Sequence, residues 1–188
     1  MALRNTTRRW GALSQLLHWL IVVLLIGQVT LAFMADDLPA GVRKIALLAR
    51  HKSVGITILM LVILRLGWRW TNLTPLLPPT LKPYERTLAR ITHALLYVLL
   101  FAMPLSGWMM SSARGFPVSW FGFFTLPDLV PKNKPLYEAL LITHQTLAWC
   151  LGAVVALHVA AALKHHFWLR DDTLRRMLPT TSGEGPKP

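Results

Sequence analysis

Long apolar stretches separated by clusters of charge dominate the chain. Trp10–Ala35, Ile91–Ala113 and Ala139–Leu163 contain no Asp, Glu, Lys or Arg over 26, 23 and 25 residues. About 20 apolar residues in a helix cross a bilayer core, so each stretch is long enough to span. A fourth stretch is shorter. Ser53–Leu64 is uncharged over 12 residues before Arg65, then continues through Leu66, Gly67 and Trp68 to Arg69 and Trp70. An Arg near a helix end can keep its stem in lipid while its head snorkels to the headgroups. On that reading 50–70 is the second span. The alternative is a surface amphipathic helix, which would leave three spans and put the ends on opposite sides. The expected spans are about 12–34, 50–70, 88–112 and 138–166, in one integral membrane domain over 1–188.

The connections differ in character. Residues 36–49 read as a short polar loop. Residues 71–86 carry Pro75, Pro78, Pro79 and Pro83 and read as a stiff, extended connector. Residues 114–137 read as a longer loop holding Trp120, Phe121, Phe123 and Phe124, aromatics of the kind found at bilayer interfaces. With no internal repeat, the expected fold is an all-α membrane protein, a four-transmembrane-helix bundle. Arg4, Arg8 and Arg9 precede the first run as in a signal peptide. That run is longer than an h-region of about 7–15 residues and is read as a retained span.

Composition agrees. Hydrophobic residues make up 54% and charged residues 15%, against about 25% charged in soluble domains. This excludes disorder, a disulfide scaffold and a large multidomain enzyme. The net charge of +12 is not that of a nucleic-acid binder, because the basic residues sit in clusters between spans. Of the 20 Lys and Arg, thirteen fall on the side of the termini and the 71–86 connector. The positive-inside rule puts that side in the cytoplasm. The remaining seven include Arg50, Lys52 and Arg114 and form an outward positive surface able to attract an anion. Cys150 is the one cysteine, so it has no intrachain partner, and no C-x-x-C-H haem-attachment motif is present.

The chemistry lies in seven histidines: His18, His51, His93, His144, His158, His165 and His166. Ionisable residues within spans mark functional sites by default. His144 and His158 are fourteen residues apart, which places them about 40° apart around one helix and about 21 Å apart along it. One helix thus offers two imidazoles to the same interior at two depths. His158 is level with His18, and His144 with His51. Each pair can clamp an iron porphyrin between two helices, with no open coordination position, which suits electron transfer. The bland reading of any single histidine is a helix–helix hydrogen bond. His93 lies on the His18/His158 layer and fits as a substitute ligand, a haem-propionate partner or a quinone-pocket residue. His165 and His166 read either as an interfacial cluster beside Lys164 and Trp168 or as proton donors to a quinone. Gly27, Gly55, Gly107 and Gly152 suit close macrocycle approach or helix packing. Trp10, Trp19, Trp68, Trp70 and Trp168 read mainly as belt residues.

These features together resemble the bacterial cytochrome b-561 family. The resemblance runs over about residues 10 to 179, through Ser14-Gln15-Leu16-Leu17-His18-Trp19, Arg50-His51-Lys52-Ser53-Val54-Gly55 and His93-Ala94-Leu95-Leu96-Tyr97. It continues through Met103-Pro104-Leu105-Ser106-Gly107, His144-Gln145-Thr146-Leu147-Ala148, the 158–166 segment and the 172–177 segment. It implies a bacterial inner-membrane protein with two b-type haems, ligated by His18 with His158 and by His51 with His144. Resemblance to the superoxide oxidases of that family implies oxidation of superoxide at the outer face and reduction of ubiquinone. Arg50, Lys52 and Arg114 are then the expected guides for superoxide. His158, His165 and Trp168, with His166 nearby, mark the expected quinone region. Two other functions compete: a haem-bearing subunit linking an unknown partner dehydrogenase or reductase to the quinone pool, and a haem-free transporter with a histidine proton relay.

Overall fold

The computed structural model describes residues 2–76 and 81–179. Pro78 and Pro79 of the expected connector, and Lys187 of the basic tail, lie outside them. Four long helices form: α1 (Ala12–Asp36), α2 (Val42–Thr71), α3 (Pro83–Arg114) and α4 (Lys134–Leu163). Each is long and apolar enough to cross a membrane. A π-helical turn, Lys164–Trp168, prolongs α4, and a short 3-10 turn, Arg175–Met177, follows.

Helix starts depart from the sequence expectation in three places, α4 opening at Lys134 within the expected 114–137 loop. α2 starts at Val42, so most of the expected 36–49 loop is helical. Residues 42–49 lack Gly and Pro and are largely strong helix formers. Their charges mark the edge of the hydrocarbon and not the end of the helix. Pro83, assigned to the connector, instead opens α3. In the first turn its missing N–H costs nothing, and the Glu85 carboxylate accepts from the Lys82 N–H at 3.1 Å. The Asn133 side chain caps α4 by accepting from the Leu136 N–H at 2.9 Å.

The 114–137 segment is not a plain loop. It folds into an antiparallel hairpin of β1 (Val118–Trp120) and β2 (Phe124–Leu126), with Val118 opposite Leu126 and Trp120 opposite Phe124. Phe121 (φ 48°) and Gly122 (φ 82°) turn it with left-handed backbone, the hand that matches strand twist. The hairpin folds back onto α2. Ser53 Oγ donates to Ser119 O and accepts from the Phe121 N–H, both at 3.0 Å. Trp120 Nε1 donates to Thr57 Oγ1 at 3.1 Å, so this aromatic is tied into the bundle mouth and is not a free belt residue.

The close helix pairs are α1 with α2 and α3 with α4, joined through α2 and α3. Ile21, Ile58 and Val62 form the buried apolar cluster, while Val23, Ile26, Ile63, Val98 and Ile142 face outward, as lipid-facing positions do. Opposite the hairpin, the described segments before α1 and after α4 close the bundle. Asn5 Oδ1 accepts from the Gly11 N–H at 2.9 Å and from Ser14 Oγ at 2.7 Å, and Asn5 Nδ2 donates to Leu73 O at 2.8 Å. The C-terminal segment docks beside them: Trp19 Nε1 donates to Met177 O at 2.8 Å and Gln15 Nε2 to Arg176 O at 3.2 Å. Of the expected belt tryptophans, Trp70 and Trp168 are outermost, whereas Trp19 and Trp68 are pinned by hydrogen bonds inside this plug.

Gly11 is where the plug is tightest. A methyl group there would sit 2.4 Å from the Leu3 carbonyl oxygen, a backbone atom that cannot swing aside. Gly11→Ala is expected to cost about 1–3 kcal/mol. A lower melting temperature in detergent, with helical circular dichroism unchanged at room temperature, is the readout.

Candidate functional site

The structure brings the span histidines together in two layers. His18 on α1 faces His158 on α4 with ring centres 6.3 Å apart and planes at 75°. His51 on α2 faces His144 on α4 at 6.4 Å and 77°. Two collinear imidazoles on one metal, at about 2.0 Å per bond and about 1.1 Å from nitrogen to ring centre, have centres about 6.2 Å apart. Both pairs match that spacing. His93 does not: its ring is 5.4 Å from that of His158, too close for a metal between them. It lines the His18/His158 layer as a neighbour.

The His51/His144 layer is also oriented. His51 Nδ1 lies 3.3 Å from Gln28 O, and His144 Nδ1 lies 2.9 Å from Ser106 Oγ. Ser106 Oγ itself donates to Met103 O at 2.9 Å, so it accepts from the His144 Nδ1–H. Each ring thereby spends Nδ1 on the protein and keeps Nε2 for a ligand, as metal-binding histidines commonly do. The cavity between the four helices here is lined mostly by apolar side chains, among them Leu25, Ile58, Leu100, Met103 and Leu151, with Gln28 and His144 also on its wall. A Cβ on Gly107 would press on His144 Cε1 at 3.0 Å, and one on Gly55 on Gln28 Nε2 at 3.1 Å. Gly27 and Gly152 face open space. The nitrogen donors, their spacing and the apolar walls fit a bis-imidazole iron porphyrin.

The terminal end holds a second polar group. The π-turn turns His165 inward, and its Nδ1 lies 2.5 Å from Asp171 Oδ2. Arg170 adopts φ 52°, a conformation uncommon for a non-glycine residue, and the chain returns so that the Asp171 N–H donates to His165 O at 3.1 Å. Burial works against the Asp171 charge, but hydrogen bonds from Thr173 and His165 outweigh it and hold the carboxyl below its usual range. His166 sits edge-on to Phe167, its Nδ1 buried with no partner among the described residues. Trp168 is 86% exposed and stands apart from buried His165. The π-turn accommodates an extra residue and so rotates 168 off the histidine stripe.

Arg65 is the main departure from expectation. It does not snorkel. Its guanidinium turns inward and donates to Ser14 O on α1 at 2.7 Å, with Tyr97 of α3 nearby. Near the hairpin, Lys52 and Arg114 converge on Phe116, with Nζ 5.7 Å and the guanidinium 5.3 Å from the ring centre. Arg50 is exposed, and among the described residues no hydrogen bond, ion pair or ring contact joins it to this cluster. Lys132, not singled out from the sequence, packs its side chain against Gly115 beside Arg114. Its signal was the outward basic count alone. Arg65 carried a sequence signal, its place near the end of a span, but not its inward direction; Asp171 carried none beyond its residue type.

Four apolar helices carrying imidazole pairs at two depths define a membrane-embedded redox carrier. The family model for prokaryotic cytochrome b561 matches residues 9–180, and the chain belongs to that family. It is 35% identical over 187 residues to "Cytochrome b561 homolog 2" of Escherichia coli strain K12, covering 98% of each chain. It is 31% identical over 177 residues to "Probable superoxide oxidase CybB" of Yersinia pestis, covering 94% of this chain and 99% of that one. "Cytochrome b561 homolog 1" of Escherichia coli strain K12 is 30% identical over 166 residues, 87% of this chain and 93% of that one. The chain is therefore a multi-pass bacterial membrane protein of electron transfer, in a family whose cofactor is b-type haem.

Ser106→Ala removes the one side chain that orients His144 through Nδ1. Loss of such a partner typically weakens metal binding about 10–100-fold. The expected result is reduced haem retention on dilution or competition with apomyoglobin, with the helical content intact.

Proposed function

We propose that the protein oxidises superoxide at its hairpin end and reduces ubiquinone at its terminal end, through two b-type haems. The observation that carries this reading is the pair of imidazole layers, each at metal-bridging separation, stacked along one bundle. His18 and His158 hold the inner iron, and His51 and His144 the outer. When bound, the haems supply one-electron relay sites closed to further ligands. The rest is done by the chain. Lys52 and Arg114, with Arg50 and Lys132 nearby, raise the local concentration of a small anion. Two superoxide anions each give up one electron and leave as dioxygen. One ubiquinone takes those two electrons and two protons.

The proton side belongs to the terminal end. Asp171 accepts from His165 Nδ1–H and so leaves Nε2 as the atom that gives and takes a proton. His93 and His166 line the same end, while exposed Phe167 and Trp168 face the membrane edge from which a quinone arrives. This reading places the chain in the inner membrane as a single domain with both termini in the cytoplasm, following the excess of basic residues on that side. The superoxide name of the Yersinia relative supports the choice of donor.

The deciding experiment uses purified haem-loaded protein without a partner. Superoxide should reduce the haems, and added ubiquinone should reoxidise them. Reduction only by a co-purified enzyme would instead favour a subunit role. Removing both hairpin-end charges in a Lys52→Gln/Arg114→Gln variant should slow haem reduction by superoxide about tenfold at low salt and flatten its salt dependence. Asp171→Asn should slow reoxidation by ubiquinone and enlarge its solvent deuterium isotope effect. Reduction by superoxide should not change in that variant, and Asp171→Glu should restore part of the rate.

A further inference from the structure

Arg65 is a cation inside a membrane bundle whose contacts are all neutral. Its guanidinium is held by the Ser14 carbonyl oxygen at 2.7 Å. Among the described residues no carboxylate pairs with it: the ion pairs join Lys134 to Glu138, Lys164 to Glu85, His165 to Asp171 and Arg176 to Asp172. Burying an unpaired charge is expensive. A snorkelling alternative was open to this long side chain, yet it points inward. Ser14, whose carbonyl it holds, is one helical turn before His18 on α1, so the guanidinium lies beside the layer that His18 shares with His158. At the other layer the corresponding cation is Lys52, whose Nζ reaches an exposed site at Pro117 O, 3.4 Å away. Water screens a charge there far more than in the bundle.

We propose that Arg65 sets the direction of electron flow. Its guanidinium, bonded to α1 one turn from His18 and paired with no carboxylate of the chain among the described residues, raises the reduction potential of an iron porphyrin held there above that of the one between His51 and His144. The inference rests on the two-haem reading above. A bis-imidazole iron porphyrin loses one positive charge when it gains an electron, so a nearby fixed cation favours the reduced form. Low dielectric strengthens the effect. Electrons entering at the hairpin end would then fall toward the terminal end and its His165–Asp171 pair. No proton need move at the haems for this bias to operate.

A redox titration of haem absorbance in the purified holoprotein tests this. Total haem is measured first. One haem per chain would sink the two-haem reading itself, whatever Arg65 does. With two haems, Arg65→Gln should lower one component by at least about 59 mV, a tenfold change in its one-electron equilibrium. The other component should stay in place, and the charge-preserving Arg65→Lys should shift the first by less than half as much. His158→Ala should delete the higher-potential component and His144→Ala the lower. The proposal is overturned if neither component moves in Arg65→Gln, if both move together, or if Lys shifts the potential as far as Gln. Should Arg65→Gln fail to load haem, the ligand-deletion titrations decide: loss of the lower component in His158→Ala overturns it.

Discussion

The structure depends on a spacing. Two imidazole rings must stand about 6.2 Å apart, centre to centre, to share one metal at ordinary bond lengths. Here that separation occurs twice on one bundle, always with α4 on one side. α4 supplies both of its histidines from one face, and its partners come from α1 at one depth and α2 at the other. The helix pairs that pack closely, α1 on α2 and α3 on α4, leave the imidazoles to meet across the bundle from opposite hairpins. The small side chains follow from the same constraint. Gly107 cannot grow without pushing His144, and Ser106 on the adjacent position holds that ring by Nδ1.

The two ends of the bundle are built differently, and each construction suits what it faces. At the hairpin end the backbone is tied down by Ser53, Thr57 and the β-turn, while the cations Lys52 and Arg114 stay near water over Phe116. A charge held in water attracts an ion at long range but perturbs buried groups weakly. At the terminal end the N-terminal strap and the C-terminal segment seal the helices through Asn5, Gln15 and Trp19. Arg65 is shut in behind that seal. A charge held in low dielectric attracts nothing from solution but acts strongly on its neighbours.

Much of this was legible in the sequence, for physical reasons. Uncharged runs of membrane length report helices directly, because lipid tolerates no unsatisfied backbone. The fourteen-residue interval between His144 and His158 is nearly four whole turns, so it fixes a shared face without any structure. What was not legible lies where local signals mislead or fall silent. The charges of Arg43 and Lys44 look like a loop but ride on the first turn of α2, since charge reports depth and not helicity. The hairpin at 118–126 is three residues per strand, too short to give a period-2 pattern. The π-turn at Lys164–Trp168 shifts the helical phase, which separates Trp168 from His165 although their numbers suggest one cluster.

Arg65 shows why depth alone does not decide what a span residue does. From the sequence its position one or two turns from a helix end allows either direction, since the side chain is long enough to reach water or to cross the bundle. The choice depends on what the interior offers. Ser14 O on α1 presents an acceptor at the level of the guanidinium, with Tyr97 of α3 nearby, and Trp68, three residues on, donates to Ser14 Oγ at 3.1 Å and holds that acceptor in place. A hydrogen bond to a neutral carbonyl satisfies a donor but does not cancel a charge. An arrangement meant only to hold α1 against α2 would be cheaper with a Gln or a Ser, whose burial carries no net charge. On the proposal made above, the residue that remains charged in this position contributes a field at the His18/His158 layer, and that field would give a two-site relay its direction.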